Sequence, residues 1–355
     1  MNRRQTLIAA LSFTTALVAA GMATAMAAEV RVLNWNGYGT DEKFAVEEFE
    51  KQTGIKVVHD YFTSEQEMLT KLRTSPGAYD VVLINSTFLN DARAESLIAP
   101  VDPATIPNLA DVQKGMVEDP SVTVEGQLWG VPWVWGVTSF AYNTETITTP
   151  ITSINALWDP AYAGRISFRD DGTLAVNLAA ILTGQDINQP ADMAVIKEKL
   201  LELKPQIRQF WASEDEWMKG MAAKNFDIGV MWAGGAARAV KTYKLPVAFV
   251  IPEEGAVGWF DTLTIAAGAP NPEGAAKFIN YMIEPSFYVR WDTEVGAATS
   301  ANEKAVAALP DDAFNKTVMG APEVASRLKF MQPVPEEKRQ EIQELWAEVK
   351  TEYAQ

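Results

Sequence analysis

Between Val30 and Ile84 the chain alternates strand, helix, strand, helix, strand, and this rhythm constrains the fold more than any other feature. Val30-Arg31-Val32-Leu33 reads as a strand running into Asn34-Trp35-Asn36-Gly37-Tyr38. Asp41 to Gln52 reads as a helix, with Thr40 or Asp41 as N-cap and Gly54 as the stop. Ile55-Lys56-Val57-Val58 is a second strand. Ser64-Glu65-Gln66-Glu67 is a capping box ahead of a helix carrying Met68, Leu69 and Leu72. Tyr79 to Ile84 is a strand of the buried type. Such alternation predicts a parallel sheet with helices on both faces. It returns in Ile166-Ser167-Phe168, Leu174 to Leu182, Phe226 to Trp232, an Ala-rich helix from Ala236, and Val247 to Val250. Asn271 reads as the N-cap of a helix from Pro272 to Met282, with proline at its first position. The last helix runs from Glu336 to Tyr353, with Ile342, Leu345, Trp346, Val349 and Tyr353 on one face. A length of 355 residues fits two such α/β units.

The side chains present exclude much chemistry. There is no cysteine and one histidine, His59. Disulfides, zinc–thiolate sites and Cys nucleophiles are therefore absent, and a Ser-His-Asp triad or multi-His metal site would rest on His59 alone. Neither a metal nor another cofactor is expected. The net charge of −16 argues against a nucleic-acid partner, which needs a basic face. It suits a cationic small molecule.

The first 27 residues read as a targeting segment. Arg3 and Arg4 precede a short apolar stretch that ends in Ala25-Met26-Ala27, the pattern of a secretory signal peptide cleaved near Ala27. The stretch is interrupted by Ser12, Thr14 and Thr15 and is short for a ~30 Å bilayer core. Sec and twin-arginine export both remain open. These residues hold two arginines and no acid, so the exported chain carries −18.

Ligands of open α/β sheets bind beyond the carboxyl ends of the strands. The residues following the expected strands are Trp35 and Tyr38; Ser86, Thr87 and Phe88; Asp170 and Asp171; Trp232; and Trp259 and Asp261. Aromatics and carboxylates recur at strand ends in both halves. Together they form a cage for an ammonium group. Cation–π contact gives ~0.5–2 kcal/mol, a buried carboxylate adds a charge-assisted hydrogen bond, and aromatic walls bury methylenes at ~0.8 kcal/mol each. Trp129, Trp158, Trp291 and Trp346 read as packing residues.

Six segments in order resemble the spermidine/putrescine family of periplasmic binding proteins. They are Leu33-Asn34-Trp35-Asn36-Gly37-Tyr38, Thr53-Gly54-Ile55-Lys56-Val57, Ala78-Tyr79-Asp80-Val81-Val82, Trp158-Asp159-Pro160-Ala161-Tyr162-Ala163-Gly164, Met231-Trp232-Ala233-Gly234, and Trp259-Phe260-Asp261-Thr262-Leu263. The resemblance runs from about Val30 to Gln332. It implies a periplasmic, non-enzymatic, monomeric receptor that hands its ligand to the membrane permease of an ATP-driven importer. The implied fold is α/β, with two lobes, each a mostly parallel sheet flanked by helices, and a cleft at the hinge. Carried over by position, Trp35, Tyr38, Trp232 and Trp259 are the walls, and Phe88 stands where the family often has Tyr. Ser86 bonds an amine, Asp171 and Asp261 pair with ammonium groups, and Gln332 matches a cleft glutamine. Trp135 lies near a lobe crossing, either lining the cleft or packing.

Two departures bear on the ligand. The family's second acid after Asp171 is Leu174 here, and a commonly apolar position is Arg238. These changes suit a zwitterion such as γ-aminobutyrate or an opine, with Asp261 on the amine and Arg238 on the carboxylate. A solvated Arg238 beside Lys241 is the alternative. A secreted carbohydrate-active enzyme using Asp170, Asp171 and Asp261 is a further reading, as is a receptor for anions, iron or sugars. The expected limits are residues 1–27 for the signal peptide, 28–138 plus 263–310 for lobe 1, and 139–262 plus 311–355 for lobe 2. Hinges are expected at Val137–Ala141 and Asp261–Ala266.

Overall fold

The computed structural model describes residues 28–354, so residues 1–27, read above as a signal peptide, lie outside the described residues. Strands β1 (Glu29–Trp35), β2 (Lys56–Phe62) and β3 (Val81–Asn85) pair in parallel in the order β2-β1-β3. They alternate with helices α1 (Lys43–Thr53) and α2 (Glu65–Thr74). Helix α1 ends at Gly54 as expected, but its N-cap is Glu42, which makes no side-chain cap bond. The two expected caps are engaged elsewhere: Thr40 takes the amide of Asn34, and Asp41 takes the backbone N–H of Gly37. The box before α2 is half formed. Ser64 accepts from the Glu67 N–H, while the Glu67 carboxylate turns to Thr63.

The second half repeats the plan with β5 (Ile166–Arg169), β6 (Ile207–Trp211) and β7 (Ile228–Trp232), parallel in the order β7-β5-β6. Helices α3 (Gly172–Thr183), α4 (Glu214–Ala222) and α5 (Ala233–Lys241) accompany these strands. Helix α6 spans Pro272–Met282 with Asn271 capping the Gly274 N–H, as its sequence indicates, and α7 follows at Pro285–Glu294. Helix α8 (Glu336–Ala354) buries Ile342, Leu345, Trp346 and Val349.

Two long antiparallel strands join the halves. They are β4 (Val131–Asn143), buried along all thirteen residues, and β9 (Ala256–Ala266). The main path is β2-β1-β3-β9-β4-β7-β5-β6 within one twelve-stranded sheet. Strand β8 (Val247–Val250) pairs with β4, and β10 (Leu328–Phe330) pairs with β9. Sequence patterning misses β4. A strand buried throughout shows no polar alternation, and Pro132 and Gly136 look like breakers. Val131 to Val137 pack in the core of the first half, and Phe140 and Tyr142 in that of the second. Ala313 and Met319 also pack in the first core.

The loop after β1 is held from beneath. Buried Asn34 donates to the Tyr38 carbonyl (3.1 Å) and to Thr40 Oγ1 (2.7 Å). Trp133 and Trp291 stack at 5.3 Å, and the Tyr38 ring stands edge-on to both. Gly39 has φ +77, and a Cβ there would lie 2.6 Å from the Trp291 ring. Gly39→Ala therefore meets backbone strain and a rigid indole together, and should cost about 1–3 kcal/mol. Urea unfolding followed by tryptophan fluorescence should show a lower midpoint with an unchanged slope.

Candidate functional site

Asp261 lies at a break in the central ladder. The β9–β4 register pairs Asp261 with Val134 and Thr262 with Pro132, so the ladder skips a residue there. Pro132 has no N–H to donate, and bulges tolerate proline and re-aim side chains. The Asp261 side chain is 6% exposed. Its Oδ2 accepts from the Tyr38 hydroxyl at 2.9 Å and its Oδ1 from the Asn85 amide at 2.8 Å. Among the described residues no Lys or Arg forms an ion pair with it. Burial pushes its pKa up to about 6, although both hydrogen bonds pull the other way. Burial and the charge of Asp261 hold the Tyr38 hydroxyl well above its ordinary range.

The other residues named from the sequence group unevenly. Trp35 ends β1, opposite Phe62 in register, with ring centroids 4.5 Å apart. Ser86 is buried at the turn after β3. Trp259 lies over Gly136, where a Cβ would be 2.4 Å from the indole, and donates to Thr138 Oγ1 at 3.1 Å. Phe88 lies under the Arg339 guanidinium at 5.5 Å. Asp171 is the N-cap of α3, accepting from the Leu174 N–H at 3.1 Å, with Arg169 Nε 3.7 Å away. Trp232 ends β7 beneath the Arg169 guanidinium at 5.2 Å. Gln332 is exposed and bonds through its backbone N–H to Asn188. Trp135 is 6% exposed, its indole N–H has no partner, and its nearest ring is Phe330 at 6.4 Å.

Arg238 is neither solvated nor free. Its Nε and Nη2 grip Glu214 in a bidentate pair at 2.7 and 2.5 Å, and its Nη1 donates to the Gly296 carbonyl at 3.1 Å. Glu214 also accepts from the Trp232 indole at 3.0 Å. Burial would lower the guanidinium pKa, but the bond and charge of Glu214 hold it above its usual value. Tyr38 feels the charges of both Arg238 and Glu214, so the two sides of the site lie within electrostatic reach. Asp170 is tied to α8 through the Trp346 indole and Lys350.

Sequence reasoning missed Asn85, Glu214, Arg169 and Thr138. Asn85 stands immediately before Ser86 at a strand end, so the strand-end rule could have found it. Ser213-Glu214-Asp215-Glu216 signals the start of α4, where Ser213 and Glu216 form a capping box. Nothing local signals that Glu214 would meet Arg238.

Two parallel half-sheets crossed by an antiparallel pair, with a charged and aromatic edge, define a two-lobed periplasmic-binding-protein fold. The chain belongs to the bacterial extracellular solute-binding proteins, whose family pattern matches residues 45–319. That family is a transport component, not a catalyst. The chain is similar to spermidine/putrescine-binding periplasmic protein 1 of Haemophilus influenzae, with 33% identity over 289 residues, or 80% of this chain and 78% of the relative. It is 31% identical over 279 residues to the spermidine/putrescine-binding periplasmic protein of Salmonella typhimurium, covering 76% of this chain and 77% of that one. In fold it matches the spermidine/putrescine ABC transporter substrate-binding protein of Streptococcus pneumoniae, with a TM-score of 0.80 and 23% identity, over 92% of this chain and 99% of that one. No helix among the described residues is long and apolar enough to cross a membrane.

An acid whose folded pKa rises from 3.8 to about 6 holds its proton more tightly when folded. Its stabilising contribution is complete below about pH 4 and is lost as pH rises through 6. Asp261→Asn should therefore raise the stability of the ligand-free protein at pH 7.5 by about 1–3 kcal/mol, with little gain at pH 4. Melting curves at the two pH values check this. An equal change at both would show that ionisation of Asp261 is not the cause.

Proposed function

We propose that the protein is the periplasmic receptor of an ABC importer for a small aliphatic amine such as putrescine or spermidine. The observation that carries this reading is Asp261, a buried carboxylate held by two neutral donors, with no protein cation on it. An ammonium group would satisfy that charge. Tyr38, Trp35, Trp232, Trp259 and Phe88 would supply aromatic walls for the methylene chain, and Ser86 a hydrogen bond. Asp171 and Gln332 would complete the second wall on closure. The names of the relatives point to the same ligand class.

In this reading the first lobe is built from residues 28–138 and the return from 263 onward, and the second from 139–262 and the C-terminal segment. The placement of Ala313 and Met319 favours extending the first lobe to about residue 319. Lobe closure bends β4 and β9, the long strands shared by both halves. The closed monomer then docks on permease subunits, after export directed by residues 1–27.

The zwitterion reading is weakened by Glu214, which already occupies the guanidinium that a ligand carboxylate would need. Calorimetric titration with putrescine, spermidine and γ-aminobutyrate distinguishes the two. Micromolar binding of an amine is expected, about −8 kcal/mol, and Asp261→Ala should abolish it. Because Asp261 binds an ammonium only when ionised, affinity should fall about tenfold per pH unit below 6. Binding of γ-aminobutyrate alone, lost in Arg238→Ala, would move the ligand to the zwitterion class. Silence toward every amine and amino acid would sink the receptor reading.

A further inference from the structure

Glu65 is the first residue of α2, three positions beyond Phe62, whose ring touches Trp35. Of the acids in that first turn, Glu67 is engaged with Thr63. Lys71, the base one turn on, is engaged with Asp60 and Glu67. Glu65 has neither role. Its Oε2 is sealed from solvent and has no hydrogen-bond partner. A buried carboxylate oxygen without a donor is destabilising, and a site that binds a cation is one reason for a chain to hold one.

Its position is specific. The parallel order β2-β1-β3, followed by β9, sets the carboxyl ends of the first three strands in one row beside Asp261. Glu65 follows β2, Trp35 and Tyr38 follow β1, Asn85 and Ser86 end β3, and Asp261 lies on β9. The axes of β2 and β9 are three strand spacings apart, ~14 Å. Glu65 feels the charge of Asp261, which together with burial holds its carboxyl well above the usual range. Two other acids of this edge have protein partners: Glu214 is paired with Arg238, and Asp171 accepts from the Leu174 N–H and lies 3.7 Å from Arg169 Nε. Two carboxylates without a protein cation, one after β2 and one on β9, flank the strand that carries Trp35 and match a ligand with a cation at each end and methylenes between.

Building on the amine reading above, we propose that Glu65 is a second ammonium-binding carboxylate of the site and makes it selective for an α,ω-diamine over a monoamine of the same chain length. Glu65→Gln keeps size and shape and removes the charge. The test is calorimetric titration at pH 7.5 of wild type and Glu65→Gln with putrescine and with n-butylamine, beside melting curves for both proteins. Wild type should bind putrescine at least tenfold more tightly than n-butylamine. The variant should bind putrescine no better than n-butylamine, leave n-butylamine affinity unchanged, and melt no lower than wild type. Unchanged putrescine affinity in the variant, or an equal loss of both amines, overturns the role of Glu65 while leaving the amine reading intact. Failure of wild type to bind either amine overturns the amine reading, and this inference with it.

Discussion

The pairing of β4 with β9 is the constraint on which the molecule depends. These strands carry the chain between two parallel half-sheets and belong to both. Their register breaks once, opposite Pro132, which has no N–H to donate to the ladder. The break falls at Asp261, whose carboxylate is buried there. One backbone irregularity thus connects the architecture of the sheet to the charge of the site.

Around that carboxylate the protein supplies rigidity instead of countercharge. Tyr38 is held by a stacked tryptophan pair, its loop is held by Asn34, and Trp259 rests on the bare backbone of Gly136. The second half treats charge differently. Glu214 pairs with Arg238, and Arg169 sits between Asp171 and Trp232. At this edge the first half therefore carries a buried acid without a protein cation, and the second a paired one. This asymmetry favours a ligand that brings positive charge, and it leaves Arg238 with its partner already chosen. Contacts from α5 to the Asp292–Gly296 segment, and from Arg339 to Asp91, tie the halves together beside the site.

Much of the architecture was legible in advance. The βαβ alternation announced the first half-sheet and, in the second, β5 and β7 but not β6, while Val247–Val250 lies antiparallel to β4; Asn271-Pro272 marked the start of α6, and Gly54 the end of α1. Each is a local signal, a period or a cap that needs no distant partner. The long strand β4 was not legible, since burial on both faces removes the alternation that marks a strand. Glu67 and Asp171 show the limits of motif reading: the first turned to Thr63 instead of completing its box, and the second caps a helix.

The sequence by itself determined which residues stand at strand ends, because strand and helix periods are properties of neighbouring residues. It thereby placed Trp35, Tyr38 and Trp232 at or just beyond such ends, whereas Trp259 and Asp261, expected after a strand, lie in the middle of β9. Only the tertiary structure decided which of their charges are already answered. Glu214 is 24 positions from Arg238, and Asn85 is 176 positions from Asp261. Pairing at such separations depends on how the sheet is ordered. Desolvation likewise belongs to the packed state: a carboxylate is ordinary in an extended chain, and Asp261 becomes a weak acid only when the folded sheet removes its water.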